Sequence, residues 1–285
     1  MARYLSLVLF AHTVFALPFA LVGLTLGLRA VDWAYNPWVV LYVVLCMVFA
    51  RSAAMGFNRW ADRALDARNA RTQVRDIPAG RISARAALVF VALNCALFIG
   101  TTYLINPLCF YLSPVALAVV LGYSYTKRFT PLCHLVLGVG LGLAPVGAYI
   151  AVTEHFAGPE VLLGVVVLCW VAGFDIIYAL QDEAFDRANG LLSIPSWLGG
   201  QRALAVARAL HVLSAGCLAG FVYWVGGGVL LWAGAVLFAS FLVYQHRLVT
   251  PTDLSRINRA FFTANGYASV VFGALALADL LWGWL

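Results

Sequence analysis

Residues 58–85, NRWADRALDARNARTQVRDIPAGRISAR, hold three aspartates and seven arginines in a chain that is otherwise largely apolar. A second acidic stretch, residues 175–189, carries Asp175, Asp182, Glu183 and Asp186. Together the two stretches contain seven of the twelve acidic residues of the chain. Charged side chains next to long apolar segments are costly, so those that occur there usually mark a functional site.

The sequence on either side of these stretches is typical of a membrane protein. Only 11% of the 285 residues are charged, whereas about a quarter are charged in soluble domains. Apolar runs of roughly 20 residues, each long enough to cross a bilayer, recur along the whole chain. The runs are continuous and do not alternate in short segments as in a β-barrel. We therefore predict an all-α polytopic membrane protein, with residues 1–285 forming a single domain.

The apolar runs and the charge of the loops together predict a topology. We expect nine spans: 5–28, 37–57, 86–105, 107–125, 132–153, 160–180, 203–224, 228–246 and 258–282. Basic residues precede span one and follow the even-numbered spans, whereas Arg29 is the only basic residue in the loops on the opposite side. By the positive-inside rule the N-terminus and the charged loops lie on the cytoplasmic side of the cytoplasmic membrane, which places the C-terminus outside. Because the positive charge is confined to one side of the membrane, the net charge of +6 does not indicate a nucleic-acid partner.

The spacing of the acids predicts two oxygen-lined helix faces. The first stretch has a spacing of i, i+4, i+8 and the second of i, i+7, i+11, and each set falls on one side of a helix. These sets are Asn58, Asp62 and Asp66, and Asp175, Asp182 and Asp186. Each continues a predicted span out of its cytoplasmic end, so we expect the two faces to line a central cavity that opens to the cytoplasmic side.

Oxygen ligands without histidine or cysteine are those that Mg²⁺ prefers, often together with substrate phosphates. Basic residues that could bind phosphate oxygens lie in the loops on the same predicted side: Arg59, Arg63, Arg71, Arg75, Lys127 and Arg128. The combination predicts a magnesium–diphosphate site at the lipid–water boundary, with a lipid tail in the apolar body. The alternative is that these are solvated loop faces whose arginines only set the topology.

Three motifs carry a resemblance to a known family. Residues 58–66 (NRWADRALD), followed by Asn69, Arg71, Arg75 and Gly80, resemble the first motif of the UbiA superfamily of intramembrane prenyltransferases. Residues 175–186 (DIIYALQDEAFD) are similar to its second motif. Residues 123–130 (YSYTKRFT) resemble the Tyr-x-x-x-Lys element that ends its fourth helix, and so include Tyr123 and Lys127.

The resemblance implies an activity. Residues 193–195 (SIP) look most like the branch that acts on aromatic acids in quinone biosynthesis, and residues 51–58 (RSAAMGFN) lean towards naphthoate enzymes of the futalosine menaquinone route. An alkyl transferase of this branch moves a polyprenyl group from its diphosphate to 4-hydroxybenzoate or 1,4-dihydroxy-6-naphthoate through an allylic carbocation. The sequence leaves open which of the two acids is the acceptor, and the length of the isoprenoid.

The resemblance also assigns roles to residues. Asn58, Asp62 and Asp66 would hold one Mg²⁺, and Asp182 and Asp186 would hold another. The leaving diphosphate would be bound by a basic set that includes the tyrosine of the third motif: Tyr123, Lys127, Arg128, Arg71 and Arg75.

Three further residues are candidates for contact with the acceptor. Asp175, alongside Tyr178, would orient the ring hydroxyl or accept its proton; its alternative role is to orient the metal ligands from behind. Arg51 lies within span two on roughly the Asn58 face, and a buried arginine is expensive unless it is paired. It would bind the carboxylate of the acceptor, or alternatively form an ion pair with Asp175.

Other functions stay open beside this one. The acceptor could instead be dihydroxynaphthoate, homogentisate, a chlorin or haem. A transporter that uses intramembrane carboxylates is less favoured, because the acids lie at one membrane face and coupling ions usually bind near the midplane. A silent membrane scaffold would need no acidic faces. Single histidines in the spans, His12, His134 and His211, are expected to form hydrogen bonds between helices and not to bind metal.

Overall fold

A computed structural model describes residues 13–282, with side chains from residue 15 on. The described residues form helices and no β-strand. The helices are α1 (Thr13–Ala30), α2 (Trp38–Ala61), α3 (Arg63–Asp66), α4 (Ala84–Ile105), α5 (Pro107–Thr126), α6 (Cys133–Thr153), α7 (Gly158–Ala179), α8 (Glu183–Ala188), α9 (Ile194–Leu198), α10 (Gly200–Trp224), α11 (Val229–Leu248) and α12 (Asn265–Trp282). A 3₁₀ turn, Leu180–Asp182, joins α7 to α8, and a π-helical segment, Arg259–Ala264, leads into α12.

Eight apolar segments within residues 13–282 are long enough to cross a membrane. They correspond to α2, α4, α5, α6, α7 continued to Ala188, α10, α11, and α12 with the π-helical segment before it. The chain is therefore a multi-pass membrane protein. The first predicted span, 5–28, begins outside the described residues, and its described part belongs to a shorter apolar helix, Phe15–Ala30. The total of nine spans stays a prediction.

The chain forms two compact units. One consists of Asn36–Tyr125, which contains α2 to α5, and in it α2 packs along α4. The loop between these helices ends at Ser83, whose Oγ accepts a hydrogen bond of 3.1 Å from the backbone N–H of Ala86. This N-cap satisfies one of the backbone donors that the first turn of α4 leaves without a helical partner.

The other unit consists of Val14–Tyr35 and the described residues from Thr126 on. Its core is aromatic and centres on Trp170 of α7, which is fully buried. The Trp170 ring contacts Phe19 of α1, Phe174 one turn along α7, and Phe238 of α11, with ring centroids 5.3, 5.3 and 5.4 Å away. Edge-on contacts such as those to Phe174 and Phe238 are favoured by the charge distribution of aromatic rings.

Helices α6 and α7 touch backbone to backbone through glycines. A Cβ on Gly138 would lie 2.5 Å from the carbonyl oxygen of Leu168, and one on Gly142 would lie 2.6 Å from that of Gly164. Only glycine fits at such distances, as in other close helix pairs of membrane proteins. Gly147, further along α6, has nothing within 4 Å of a Cβ placed on it and plays no part in the contact.

The π-helical segment is held by buried polar side chains. The carbonyl of Ala260 accepts hydrogen bonds from Gln245 Nε2 (3.0 Å) and from Asn265 Nδ2 (3.4 Å). Asn265 Nδ2 also donates to the carbonyl of Phe261 (2.9 Å), and Asn265 Oδ1 accepts from Trp170 Nε1 (2.9 Å). Carbonyls of the π-helical segment thus accept side-chain hydrogen bonds inside an apolar core, where such bonds help to satisfy polar groups.

Candidate functional site

The first acidic motif lies where α2 ends. We expected Asn58, Asp62 and Asp66 to lie on one continuous helix, but the helix breaks at Asp62, whose backbone angles are φ −91° and ψ 4°. The chain resumes as the single turn α3. The hydrogen bonds still connect the three positions, because the Asp62 N–H donates to the Asn58 carbonyl (3.0 Å) and the Asp66 N–H to the Asp62 carbonyl (2.7 Å).

The carboxylates of this motif are buried, with Asp62 4% and Asp66 5% exposed. The Asn58 amide donates to Asp62 Oδ2 at 3.4 Å, so these two side chains are neighbours as the spacing predicted. Arg75 Nη1 lies 2.8 and 2.9 Å from the two carboxylate oxygens of Asp66. A buried carboxylate is stable only when a cation or hydrogen-bond donors compensate it, and here Arg75 supplies that charge.

The remaining basic residues of the first unit differ in their surroundings. The Arg71 side chain is exposed in the loop after α3, and its backbone N–H donates to Asn69 Oδ1 (2.9 Å). Arg51 is half-buried in α2, and its Nε is inaccessible to solvent and has no hydrogen-bond partner among the described residues. Tyr123 of α5 lies within electrostatic range of both Arg51 and Arg59.

The second acidic motif shares the geometry of the first. Helix α7 ends at Ala179, the 3₁₀ turn follows, and Asp182 at its end has φ −103° and ψ 1°, close to the values at Asp62. The predicted single helical stripe is again interrupted at the first acid of the pair. Asp186, on α8, is 6% exposed, and its Oδ2 accepts a hydrogen bond from Ser193 Oγ (3.0 Å). The charges of Asp182 and Lys127 both lie close enough to Asp186 to act on its carboxylate.

Asp175 and Tyr178 lie near the C-terminal end of α7, before the 3₁₀ turn. Asp175 Oδ2 accepts a hydrogen bond of 2.7 Å from Nδ1 of His134 on α6. The Tyr178 ring packs on Phe261 of the π-helical segment, with centroids 4.1 Å apart and planes 31° apart, and meets Phe262 edge-on. The predicted helix–helix hydrogen bond of His134 is confirmed.

The predicted interhelical hydrogen bond of His211 is also confirmed. His211 of α10 bonds to His246 of α11, with Nδ1 and Nε2 2.9 Å apart. His12 lies outside the described residues.

Sequence reasoning missed how residues 191–194 hold the second motif together. The Leu192 N–H donates to the Lys127 carbonyl (2.7 Å), Ser193 binds Asp186, and the Ile194 N–H donates to His134 Nε2 (3.3 Å). The signal was available in the serine and proline of residues 193–195, which are typical of a helix N-terminus. Ser193 is indeed the N-cap of α9 and accepts from the Ser196 N–H.

The donor chemistry of both motifs fits a hard cation. Within residues 13–282 no three histidine, cysteine, aspartate or glutamate side chains form a preassembled metal cage. Mg²⁺ does not require one, because it keeps several waters and is commonly held by one or two carboxylates together with substrate phosphates. Two buried carboxylates in the first motif, and the buried Asp186 with half-buried Asp182 in the second, match that requirement.

Most of the length of the chain matches one family of known proteins. A sequence model of the UbiA prenyltransferase family matches residues 16–266. The chain is similar to a 4-hydroxybenzoate octaprenyltransferase from Aliivibrio fischeri, with 31% identity over 96% of this chain and 92% of the relative. A protein of the same name from Methylococcus capsulatus is 30% identical over 87% of this chain and 84% of its own length.

Solved structures share the fold. The structure of a UbiA homologue from Aeropyrum pernix superimposes with a TM-score of 0.84 at 33% identity, covering 94% of this chain and 98% of that one. A UbiA homologue from Archaeoglobus fulgidus, solved bound to GPP and Mg²⁺, superimposes with a TM-score of 0.75 at 21% identity, covering 98% and 99% of the two chains.

Proposed function

The chain belongs to the UbiA prenyltransferase family, and from this we propose that it is an integral membrane enzyme that transfers a polyprenyl group from its diphosphate to an aromatic carboxylic acid. Such an enzyme is a transferase of alkyl groups (EC 2.5.1). The observation that carries the proposal is the repeated geometry of the two motifs, in each of which a helix breaks at the first aspartate of an acidic pair. The names of the relatives support 4-hydroxybenzoate as the acceptor, with the naphthoate of the menaquinone route as the alternative.

We propose that Asn58, Asp62 and Asp66 hold one Mg²⁺ and that Asp182 and Asp186 hold another. When bound, the metal ions would neutralise diphosphate oxygens and so make the diphosphate a better leaving group. The role of the chain is to keep the carboxylates ionised and aimed at the cations. Ser193 does this for Asp186 by fixing one oxygen, and Arg75 keeps Asp66 compensated before substrate binds.

The same proposal assigns the leaving diphosphate to the basic residues and a tyrosine. Lys127, in electrostatic range of Asp186, would reach the same diphosphate oxygens as the cation beside it. Arg75 would exchange its carboxylate partner for phosphate when a cation takes its place on Asp66, because a guanidinium binds both kinds of anion. The other members of the proposed diphosphate set are Arg71, Arg128 and Tyr123.

For the acceptor we propose Arg51, Asp175 and Tyr178. Arg51 carries a guanidinium nitrogen without a hydrogen-bond partner among the described residues, which is expensive for a half-buried cation and is relieved by an anionic ligand. A carboxylate of an aromatic acid provides that anion. Asp175 would orient the ring hydroxyl or accept its proton. The ring carbon that forms the new bond to the prenyl group loses its proton, and the diphosphate leaves with the electron pair of the broken C–O bond.

We further propose that residues 1–285 act as one prenyltransferase domain, with membrane lipid around the spans. The N-terminus and the active site would lie on the cytoplasmic side of the cytoplasmic membrane, and the C-terminus outside. Loop charge supports this orientation, because the basic residues follow the even-numbered predicted spans.

The experiment uses membranes that contain the protein, incubated with labelled prenyl diphosphate, Mg²⁺ and a panel of aromatic acids. We expect a labelled, lipid-soluble prenylated acid whose formation stops with EDTA and with Asp62→Asn or Asp186→Asn. Asp253→Asn, a change in an exposed loop acid, is the matched control and should keep full activity. Transfer that resists EDTA, or no transfer to any acid, contradicts the proposal.

A further inference from the structure

His134 lies between the acceptor-side carboxylate and the turn that binds the proposed metal ligand. It is 3% exposed, whereas Asp175, to which it bonds, is 26% exposed. The histidine is therefore inaccessible, and the aspartate is the member of the pair that a substrate can touch. From the sequence, His134 was expected only to form a hydrogen bond between helices and to have no role in the reaction.

The two ring nitrogens of His134 have opposite roles. The Ile194 backbone N–H donates to Nε2 at 3.3 Å, so Nε2 must carry a lone pair and the ring proton must be on Nδ1. Nδ1 then donates to Asp175 Oδ2 at 2.7 Å, a charge-assisted bond of typical length. A second ring nitrogen that is held by the protein fixes both the tautomer and the orientation of a histidine.

The position of Ile194 at the start of α9 leaves its N–H available as a hydrogen-bond donor. Ile194 is the first residue of α9, and the first N–H groups of any helix have no partner within the helix. The residue before it, Ser193, caps α9 and donates to Asp186. The turn at residues 193–194 therefore holds two carboxylates. The Ser193 hydroxyl binds Asp186, and the Ile194 N–H holds His134, which binds Asp175.

The bond leaves Asp175 with one oxygen for other partners. Oδ2 is occupied by His134, whereas Oδ1 has no hydrogen-bond partner among the described residues. A carboxylate that is held by one oxygen on a rigid donor presents the other oxygen in one direction. This is the arrangement by which a second residue makes a functional group ready for its substrate before binding.

We propose that His134 is a positioning residue for the prenyl transfer, and that it acts by orienting Asp175 towards the aromatic acceptor. The inference rests on the proposed function. It assigns the histidine no proton-transfer step, because its Nε2 is occupied by a backbone donor and its Nδ1 proton is shared with Asp175. Replacing His134 should therefore impair turnover of the acceptor and leave binding of the prenyl diphosphate unchanged.

The test is a double-mutant cycle on the purified full-length protein with prenyl diphosphate, Mg²⁺ and 4-hydroxybenzoate. His134→Leu should lower kcat about tenfold to hundredfold, the value of a hydrogen bond to a charged group, with the KM for prenyl diphosphate within about threefold of the wild type. In an Asp175→Asn background the same change should cost less than about threefold, because residues that act through one another are not additive. His134→Gln, whose amide can donate to Asp175 and accept from Ile194, should recover most of kcat.

The matched control is Ser214→Ala, which removes a buried hydrogen bond from α10 to the Val166 carbonyl of α7, more than two turns before Asp175, and should keep kcat within about threefold. If His134→Leu cannot be purified in folded form, His134→Asn takes its place, since the shorter amide cannot span both partners. Equal losses in the two backgrounds would show a merely structural role and overturn the inference, as would unchanged kcat in an active protein. In both cases the proposed function would stand. A wild-type protein that transfers to no acid would overturn the proposed function, and the inference with it.

Discussion

Asn265 offers a direct test of how the π-helical segment is stabilised. Its side chain is completely buried and bonds to two backbone carbonyls and to the Trp170 indole N–H. Asn265→Leu keeps the number and branching of the side-chain heavy atoms and removes all of these bonds. The indole N–H then loses the acceptor it has in Asn265, and the Phe261 and Ala260 carbonyls each lose one hydrogen bond, while Ala260 keeps its bond from Gln245.

The expected cost follows from the groups left unsatisfied. Each buried polar group without a partner costs about 1–3 kcal/mol, and interhelical hydrogen bonds in membrane proteins are at the low end, near 0.6–2 kcal/mol. The unsatisfied indole N–H and the lost bonds to the two carbonyls therefore correspond together to a loss of about 2–4 kcal/mol. For a chain of this size such a loss lowers Tm by about 4–16 °C.

The assay is thermal unfolding of the purified protein in a fixed detergent, with Asn94→Leu as the matched control. Asn94 is also buried, but it only donates to the Phe90 carbonyl one turn earlier in its own helix, and that carbonyl lies within the regular α4 ladder. The control should shift Tm by less than about 3 °C, the equivalent of about 1 kcal/mol. Equal Tm values for the two variants would refute the argument that the side chain of Asn265 holds the π segment.

Three further outcomes are expected. Arg51→Ala should raise the KM for the aromatic acid about tenfold or more, the cost of a lost charged hydrogen bond, and leave the KM for prenyl diphosphate unchanged. The measurement is steady-state kinetics with each substrate varied in turn, and an unchanged acceptor KM would contradict the prediction. Ser193→Ala should raise the Mg²⁺ concentration for half-maximal transfer about tenfold, because residues that orient metal ligands are worth about that much, and an unchanged magnesium titration would count against the assigned role. Gly142→Val should lower Tm by several degrees because its Cβ would lie 2.6 Å from a carbonyl oxygen, whereas Gly147→Val, at a site with nothing within 4 Å, should unfold near the wild-type temperature.

The sequence predicted the membrane architecture well because apolar length is a local property. The bounds of most spans agree with the helices to within a few residues. The breaks at Asp62 and Asp182 were not predicted. An i, i+4 spacing looks the same in a continuous helix as in two helical pieces whose hydrogen bonds continue across the break.

The partners within the site depend on residues that are distant in sequence. His134 and Ile194 are 60 residues apart, and His134 and Asp175 are 41 apart. No periodicity connects such positions, so the sequence predicted that His134 would bond to another helix but not to which residue. Arg75 was predicted as a phosphate ligand from its charge and its place in the first motif, and its bond to Asp66 depends on how the loop after α3 folds back.

The backbone contact between α6 and α7 has a consequence for how the chain tolerates change. His134 is one turn before Gly138 on α6, and Asp175 is two turns beyond Leu168 on α7, so the glycine contacts fix the height at which the two functional side chains meet. A slip of one helical turn, about 5.4 Å, would separate them. Natural selection on the chemistry therefore also constrains positions that bear no functional group, and mutations that inactivate the enzyme without touching its site should accumulate along this helix seam.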